Sequence, residues 1–185
     1  MNNPLAITIS LKKPINGVYN IDHQCKTKDF EKLTQILKDD LSNLKNSIDD
    51  NDWLEELINI KLQIKTINFG DDLPLISGTL STLFSLACQN CLQLMAKKID
   101  LPLNLLLGDS DRESDDFDGC DYWEVIGGNI SVHDLIEEIL ILSVPLYSKH
   151  DSGHKCTVFS ESRITDNELL NSPFAGLKNQ LNNKK

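Results

Sequence analysis

The chain has 185 residues, 40% of them hydrophobic, and 18 Lys and Arg against 28 Asp and Glu give it a formal net charge of -10. This length and composition suit one modest hydrophobic core, and the acidity argues against a protein whose whole surface binds phosphates. No run approaches the roughly 20 apolar residues of a membrane helix, and the amino terminus shows no basic and then apolar leader, so we expect a cytoplasmic protein.

The first predicted elements are a short edge strand and a helix. The apolar run Leu5–Ile9 predicts the strand, and Pro14 and Gly17 predict a loop that continues to about residue 25. From about residue 28 to residue 47, apolar residues recur at steps of three and four, which predicts an amphipathic helix. Thr27 is the expected N-cap of this helix.

Three strands are predicted next. Apolar and polar residues alternate over residues 58–64, which is the period of a half-buried strand. A second strand is expected over residues 75–87 and a third from Leu92 to Leu107, with a β-bulge near Lys97-Lys98 because the apolar alternation slips there by one residue. Together they predict a twisted antiparallel β-sheet over about residues 56–107.

The segment 109–124 has a different composition. It contains eight acidic residues and one Arg, which is too charged to pack, and we predict a flexible solvated insertion. The functional alternative for this segment is a binding site for a basic partner.

A second helix is predicted over residues 131–142. Its apolar residues share one face, Ser131 is its expected N-cap and Pro145 blocks its extension. The apolar residues are Val132, Leu135, Ile136, Ile139 and Leu140. A polar C-terminal tail follows over residues 147–185. The predicted fold class is therefore α+β, a sheet packed by two main helices within a single domain spanning residues 1–185.

Cys88-Gln89-Asn90-Cys91 is the most informative short motif, because it lies between two predicted strands and is expected at the tip of a hairpin. Two thiolates so placed supply half of a tetrahedral zinc site. The available second half is His150, His154 and Cys156, and the ligands expected if zinc is bound are Cys88, Cys91, His154 and Cys156. Leu92 stands where such turns often have glycine.

Two other interpretations of the Cys88 and Cys91 pair remain open. The thiols can pack as small apolar side chains, or they can act in thiol–disulfide exchange, which favours a pair that opens a helix after a strand. The five cysteines are scattered and odd in number, which favours reduced thiols or metal ligands over a disulfide framework. The sequence establishes no cofactor, and a structural zinc ion is the candidate.

No catalytic residue is predicted. His133 is expected to be a solvated residue in the first turn of its helix, and Glu137 and Glu138 are expected to be solubilising charges unless the fold buries them. Gly127-Gly128 is a turn rather than a phosphate-binding loop. No nucleophile, base and orienting group occur together in a recognisable pattern.

The order of motifs along the chain resembles the YceD-like family. The resemblance is clear over residues 85–185, and the first 80 residues match only in their pattern of elements. The residues that carry it are Ala87-Cys88-Gln89-Asn90-Cys91, Tyr122-Trp123-Glu124-Val125, His133–Pro145, His150–Cys156 and Ser172–Leu177. The family is named for the accumulation of large-subunit ribosomal RNA.

The resemblance implies a non-enzymatic bacterial factor for the synthesis, processing or stability of large-subunit (23S-type) ribosomal RNA. Its expected partners are ribosome-assembly proteins or that RNA, contacted directly or indirectly, and neither DNA nor a membrane. Because the chain is acidic, RNA contact would need a basic partner or a restricted basic surface such as Lys178, Lys184 and Lys185. The alternatives are a metal- or thiol-dependent redox protein that uses Cys88 and Cys91, and an acidic adaptor that binds proteins.

Overall fold

The computed structural model describes residues 4–13, 15–44, 51–68, 71–109 and 119–150, together with Cys156. The chain divides into two compact units, Met1–Lys149 and His150–Lys185. Every described helix and strand belongs to the first unit. In the second unit the structure describes His150 and Cys156.

The described elements are seven strands and two α-helices, besides short 3-10 turns. In chain order they are β1 (Thr8–Ser10), β2 (Val18–Lys26), α1 (Glu31–Leu41), β3 (Leu57–Asn68), β4 (Asp72–Ala87), β5 (Leu94–Gly108), β6 (Asp121–Glu124), β7 (Asn129–Ser131) and α2 (Val132–Ser143). Strands β2 to β6 form a five-stranded sheet in sequence order, and β1 pairs with β7 in a separate two-stranded sheet. The predicted α+β class is confirmed. The pairs from β2 to β5 are antiparallel, as predicted for β3 to β5, whereas β6 runs parallel to β5.

The main core lies on one face of the five-stranded sheet. Along β3 the side chains of Ile58, Ile60, Leu62 and Ile64 are buried, and the residues between them are more exposed. Helix α1 packs against β4, and its apolar face is buried through Leu33, Leu37 and Leu41. The alternation predicted for β3 and the amphipathic face predicted for α1 therefore meet in one core.

A glycine allows the close pairing of β3 with β4. Gly78 lies opposite Leu62 with φ +145°, and a Cβ atom added at Gly78 would lie 2.0 Å from the carbonyl oxygen of Lys61. That distance is far below van der Waals contact, so any larger residue would force the two strands apart.

A smaller apolar cluster explains how β6 joins the sheet. Leu73, Leu75 and Leu106 form this cluster, and Cys120 and Tyr122 pack against it. The prediction of a solvated insertion over 109–124 is therefore wrong for residues 121–124, because Tyr122 and its neighbours carry enough apolar surface to dock. Residues 110–118 of that segment lie outside the described residues.

Strand β2 lies where a loop was predicted. It pairs with β3 along its whole length, from Val18 opposite Lys65 to Lys26 opposite Leu57. Only Ile21 and Cys25 are buried in it, so its apolar alternation is too sparse to be recognised in the sequence. The pairing is decided by the long partner strand β3.

The predicted bulge near Lys97-Lys98 is wrong. The register of β4 with β5 is continuous from Leu75 opposite Leu106 to Ala87 opposite Leu94. Leu94, whose alternation suggested the slip, is 48% exposed, whereas the next residue, Met95, is buried. The break in the apolar pattern therefore reflects an exposed leucine and not an extra residue.

The second helix has the predicted cap and buried face. Ser131 is the N-cap of α2, and its hydroxyl oxygen accepts a hydrogen bond of 3.0 Å from the backbone N–H of Asp134. The predicted apolar stripe is buried, namely Val132, Leu135, Ile136, Ile139 and Leu140. Helix α2 lies against α1, β7 and the turn at Pro4–Ala6.

The first helix starts later than predicted and is capped by a distant residue. Thr27 begins a separate 3-10 turn, and α1 has Phe30 as an N-cap without a side-chain hydrogen bond. The carboxylate oxygen Oε1 of Glu137 instead accepts hydrogen bonds from the backbone N–H groups of Lys32, at 2.7 Å, and Leu33, at 3.3 Å. Glu137 is 4% exposed. Glu137 is therefore a buried cap and not a solubilising charge.

Candidate metal centre at a hairpin turn

Cys88 and Cys91 lie in the turn that joins β4 to β5, as the sequence predicts. The backbone N–H of Cys88 donates to the carbonyl of Gln93 at 2.9 Å, which closes the hairpin loop. Inside the loop, the N–H of Leu92 donates to the carbonyl of Cys88 at 2.7 Å. The second bond folds the intervening residues into one compact turn that holds both cysteines.

The turn keeps a leucine in a conformation that favours glycine. Among the described residues, Leu92 is the non-glycine residue with a positive φ, which is +55°. A left-handed backbone costs a residue with a Cβ atom about 1–2 kcal/mol. Such strain persists only where the surroundings determine the local conformation, and it is common at binding sites.

Both cysteines are fully buried, although the turn contains exposed polar residues. Cys88 and Cys91 are each 0% exposed, while Gln89 and Asn90 between them are exposed. The Sγ atom of Cys91 lies 3.9 Å from Oε1 of Gln93. The turn thus directs two sulfur atoms inwards and its amide side chains outwards.

Helix α1 fixes the end of β4 immediately before the turn. The backbone N–H of Ala87 donates to Oδ2 of Asp40 at 2.7 Å. The described pairing of β3 with β4 ends at Ser81, so β3 offers no partner to this amide and the Asp40 carboxylate accepts it instead. Asp40 was not predicted as part of this site, because no local pattern links residues 47 positions apart.

The segment after α2 is hydrogen-bonded to the same turn. The N–H of Gln89 donates to the carbonyl of Ser148 at 2.9 Å, and Nε2 of Gln89 donates to the carbonyl of Leu146 at 3.1 Å. The hydroxyl of Tyr147 donates to Oδ1 of Asn90 at 2.8 Å. Ser148 is 5% exposed. The first unit therefore ends beside the Cys88–Cys91 turn.

The predicted second half of the ligand set falls in the second unit. His150 and Cys156 are described there, and both side chains are half-buried. His154, which was predicted as a ligand, lies outside the described residues.

The other two cysteines have different surroundings. Burial raises the pKa of the Cys25 thiol to about 12, and the nearby Asp29 carboxylate adds to the effect. Cys25 donates weakly to the carbonyl of Ile58 at 3.8 Å, and Cys120 lies 3.2 Å from the side-chain nitrogen of Asn104. Cys25 is therefore a protonated core residue and a poor nucleophile.

His133 is held by backbone and ring contacts. Its Nε2 atom lies 3.1 Å from the carbonyl oxygen of Asp29, which fits an Nε2–H donor, and its ring stacks on Phe30 with centroids 4.8 Å apart. It joins the start of α2 to the turn before α1. This arrangement is structural and places no acid or base in a cleft.

The strands around the turn bear on the redox interpretation. The residues after Cys91 continue directly into β5. A low thiol pKa in a Cys-x-x-Cys motif commonly depends on a helix N-terminus, and the turn lacks that dipole.

Among the described helices, none has the length and apolarity needed to cross a lipid bilayer.

A family model described as large ribosomal RNA subunit accumulation protein YceD matches residues 76–180. The chain belongs to the YceD family. This confirms the predicted resemblance over residues 85–180 and extends it further into β4. No curated protein and no solved structure matches the chain.

The part that matches the YceD model contains the whole candidate centre. Residues 76–180 include the Cys88–Cys91 turn, β5 to β7, α2, His150 and Cys156. Strands β1 to β3 and helix α1 precede the matched part, although β3 and α1 build the core beneath it. The YceD family name concerns ribosomal RNA, so the family and the turn supply separate information about function.

Proposed function

We propose that this protein is a non-enzymatic cytoplasmic factor that supports the accumulation of large-subunit (23S-type) ribosomal RNA during ribosome biogenesis. The observation that carries the proposal is the match of residues 76–180 to the YceD family, whose name states this process.

The surroundings of the titratable side chains support a non-enzymatic role. Among the described residues, His133 is engaged by Asp29 and Phe30, and Glu137 caps α1. The thiol of Cys25 is protonated in the core. These groups serve the fold.

The charge of the chain bears on how it meets RNA. Each phosphate contact needs a local positive charge that releases counterions, and affinity falls steeply with salt. A formal net charge of -10 is unfavourable for contact with RNA phosphates. We therefore infer that association with pre-ribosomal particles runs mainly through basic proteins. Lys178, Lys184 and Lys185, the basic residues expected near the tail, lie outside the described residues.

Deleting the gene tests the process. We expect large-subunit ribosomal RNA to fall relative to small-subunit RNA, and a plasmid copy of the wild-type gene to restore the ratio. Total RNA would be measured during optimal growth and during cold stress, with an unrelated non-essential gene deletion as the control. An unchanged ratio under both conditions would refute the assignment.

Purification of the tagged protein with and without ribonuclease tests the mode of contact. If association runs through basic proteins, those proteins should still co-purify after ribonuclease treatment. If the protein binds RNA directly, they should no longer co-purify. The purified protein is also expected to leave ribosomal RNA intact during long incubation. Cleavage or modification of the RNA would contradict the non-enzymatic role.

A further inference from the structure

We propose that Cys88, Cys91, His150 and Cys156 bind one structural zinc ion. The described residues offer this set of four metal-binding side chains. The inference concerns a metal site and does not depend on the ribosomal function.

The chemistry of the donor set favours zinc. Three thiolates and one imidazole form a Cys₃His set, which is one of the standard tetrahedral combinations of structural zinc sites. Carboxylates, which magnesium and calcium prefer, are not among the four. A set of four protein ligands also fills the tetrahedron and leaves no position for water or substrate, so the role is structural.

The first half of the site is already organised by the fold. The turn holds Cys88 and Cys91 with their side chains buried, and Asp40 fixes Ala87 just before them. The strained backbone of Leu92 is part of the same turn. A metal bound to the two thiolates would help to hold this conformation. That support explains how the turn accommodates leucine at a position where glycine would adopt the same backbone conformation without strain.

The chain that leads to the second half of the ligand set is anchored on the cysteine turn. The carbonyl of Ser148 accepts a hydrogen bond from Gln89, inside the cysteine turn. His150 follows two residues later, a span of at most about 7 Å. This anchoring favours His150 over His154 as the nitrogen ligand. Cys156 is the described residue that completes the group of four.

Binding requires no oxidant or reductant. The three thiols lose their protons to solvent as the Zn–S bonds form, and His150 binds as the neutral imidazole. Metal affinity should therefore fall as the pH is lowered. The two alternatives are packed thiols and a redox-active pair. Both predict that removing Cys156 or His150 leaves the chemical state of the Cys88 and Cys91 thiols unchanged.

Metal content is the primary test. Full-length protein purified under reducing conditions without a histidine tag is expected to contain about one zinc per chain by elemental analysis. Single variants Cys88→Ser, Cys91→Ser, His150→Ala and Cys156→Ser should each lower the content at least several-fold. Cys120→Ser and His154→Ala are the matched controls and should keep it.

Cobalt substitution reports which atoms bind. The reduced protein loaded with Co²⁺ should show the intense visible bands of tetrahedral cobalt and a thiolate charge-transfer band in the near ultraviolet. His150→Ala should change the visible bands, and Cys156→Ser should weaken the thiolate band. Neither variant alters the β4–β5 turn itself, so a folding defect in Cys88→Ser or Cys91→Ser would not obscure the result.

Several results would overturn the proposal. One is wild-type protein without metal that also fails to take up added Zn²⁺. Another is full zinc content in both His150→Ala and Cys156→Ser. Loss of metal in His154→Ala but not in His150→Ala would assign the nitrogen ligand to His154 instead. Visible absorption of an iron–sulfur cluster in the purified protein would reject zinc as the occupant.

Discussion

The two described α-helices begin in physically different ways. Helix α2 is capped by its own sequence, because Ser131 accepts a hydrogen bond from Asp134, three residues away. Helix α1 is capped by Glu137, 105 residues from the Lys32 amide that it binds. The start of α2 is therefore a local property of the chain, whereas the first turn of α1 depends on α2 being docked beside it.

The distant cap uses a stronger interaction than the local one. A carboxylate at a helix N-terminus interacts favourably with the helix dipole, and its hydrogen bonds from backbone N–H groups are charge-assisted. Glu137 is also 4% exposed, so the hydrogen bonds from the two amides compensate for the cost of burying its carboxylate. The cap of α1 thus couples the stability of the two helices, and the cap of α2 does not.

The largest effect is expected from undocking α2. Ile139 is 8% exposed on the apolar stripe, and Ile139→Asp would lose its burial and place a carboxylate among apolar side chains. We expect a loss of about 4 kcal/mol or more in unfolding free energy, which is close to the total stability of many domains. Urea denaturation followed by circular dichroism measures it.

The matched control lies on the same helix. Leu142 is 73% exposed, and Leu142→Asp should cost only about 1 kcal/mol, because it removes little buried surface. Equal stability of Ile139→Asp and the wild type would show that the stripe of α2 is not a core element. The comparison of the two helices would then lose its basis.

The next effect isolates the distant cap. Glu137→Ala leaves the N–H groups of Lys32 and Leu33 without their acceptor, and an unsatisfied buried amide costs about 1–3 kcal/mol. Hydrogen exchange should accelerate at those two amides more than in the rest of α1. Glu138→Ala, on the adjacent half-buried residue, is the control and should change stability by less than about 0.5 kcal/mol. Equal effects of the two variants would remove the proposed coupling.

Local signals in the sequence predicted the parts of the fold that local interactions determine. The alternation of residues 58–64 and the Ser131 cap with its apolar stripe correctly identified β3 and α2. The Cys88–Cys91 turn was predicted because two strong strands flank it. In each case the deciding residues lie within one element or one turn of each other.

Interactions between distant residues determine the parts that were missed. Strand β2 forms because β3 offers a partner along its whole length, and β6 forms because Tyr122 docks on leucines of β4 and β5. Asp40 and Glu137 each look like ordinary surface charges until the fold brings a backbone amide to them. Sequence periodicity carries no information about such contacts.

The smallest effect concerns the local cap. Ser131→Ala removes the acceptor for the Asp134 amide, and loss of an N-cap of this kind costs about 1 kcal/mol. Because the interaction is local, the start of α1 should be unaffected, and exchange at Lys32 should match the wild type. Ser131→Asp, which retains a cap acceptor, is expected to restore most of the stability.

Ser131→Ala should also change the pH dependence of stability in a way that a general packing defect would not. A hydrogen bond from Ser131 is the main cause that lowers the pKa of the Asp134 carboxyl. A carboxyl with a lowered pKa in the folded state adds stability above its unfolded pKa and loses it as the pH falls through the folded value. In Ser131→Ala the pKa of Asp134 should rise towards its ordinary value, measured by NMR titration, and the stability deficit should shrink in acid. A deficit that is constant from neutral to acidic pH would show that the Ser131 hydroxyl does not act on Asp134.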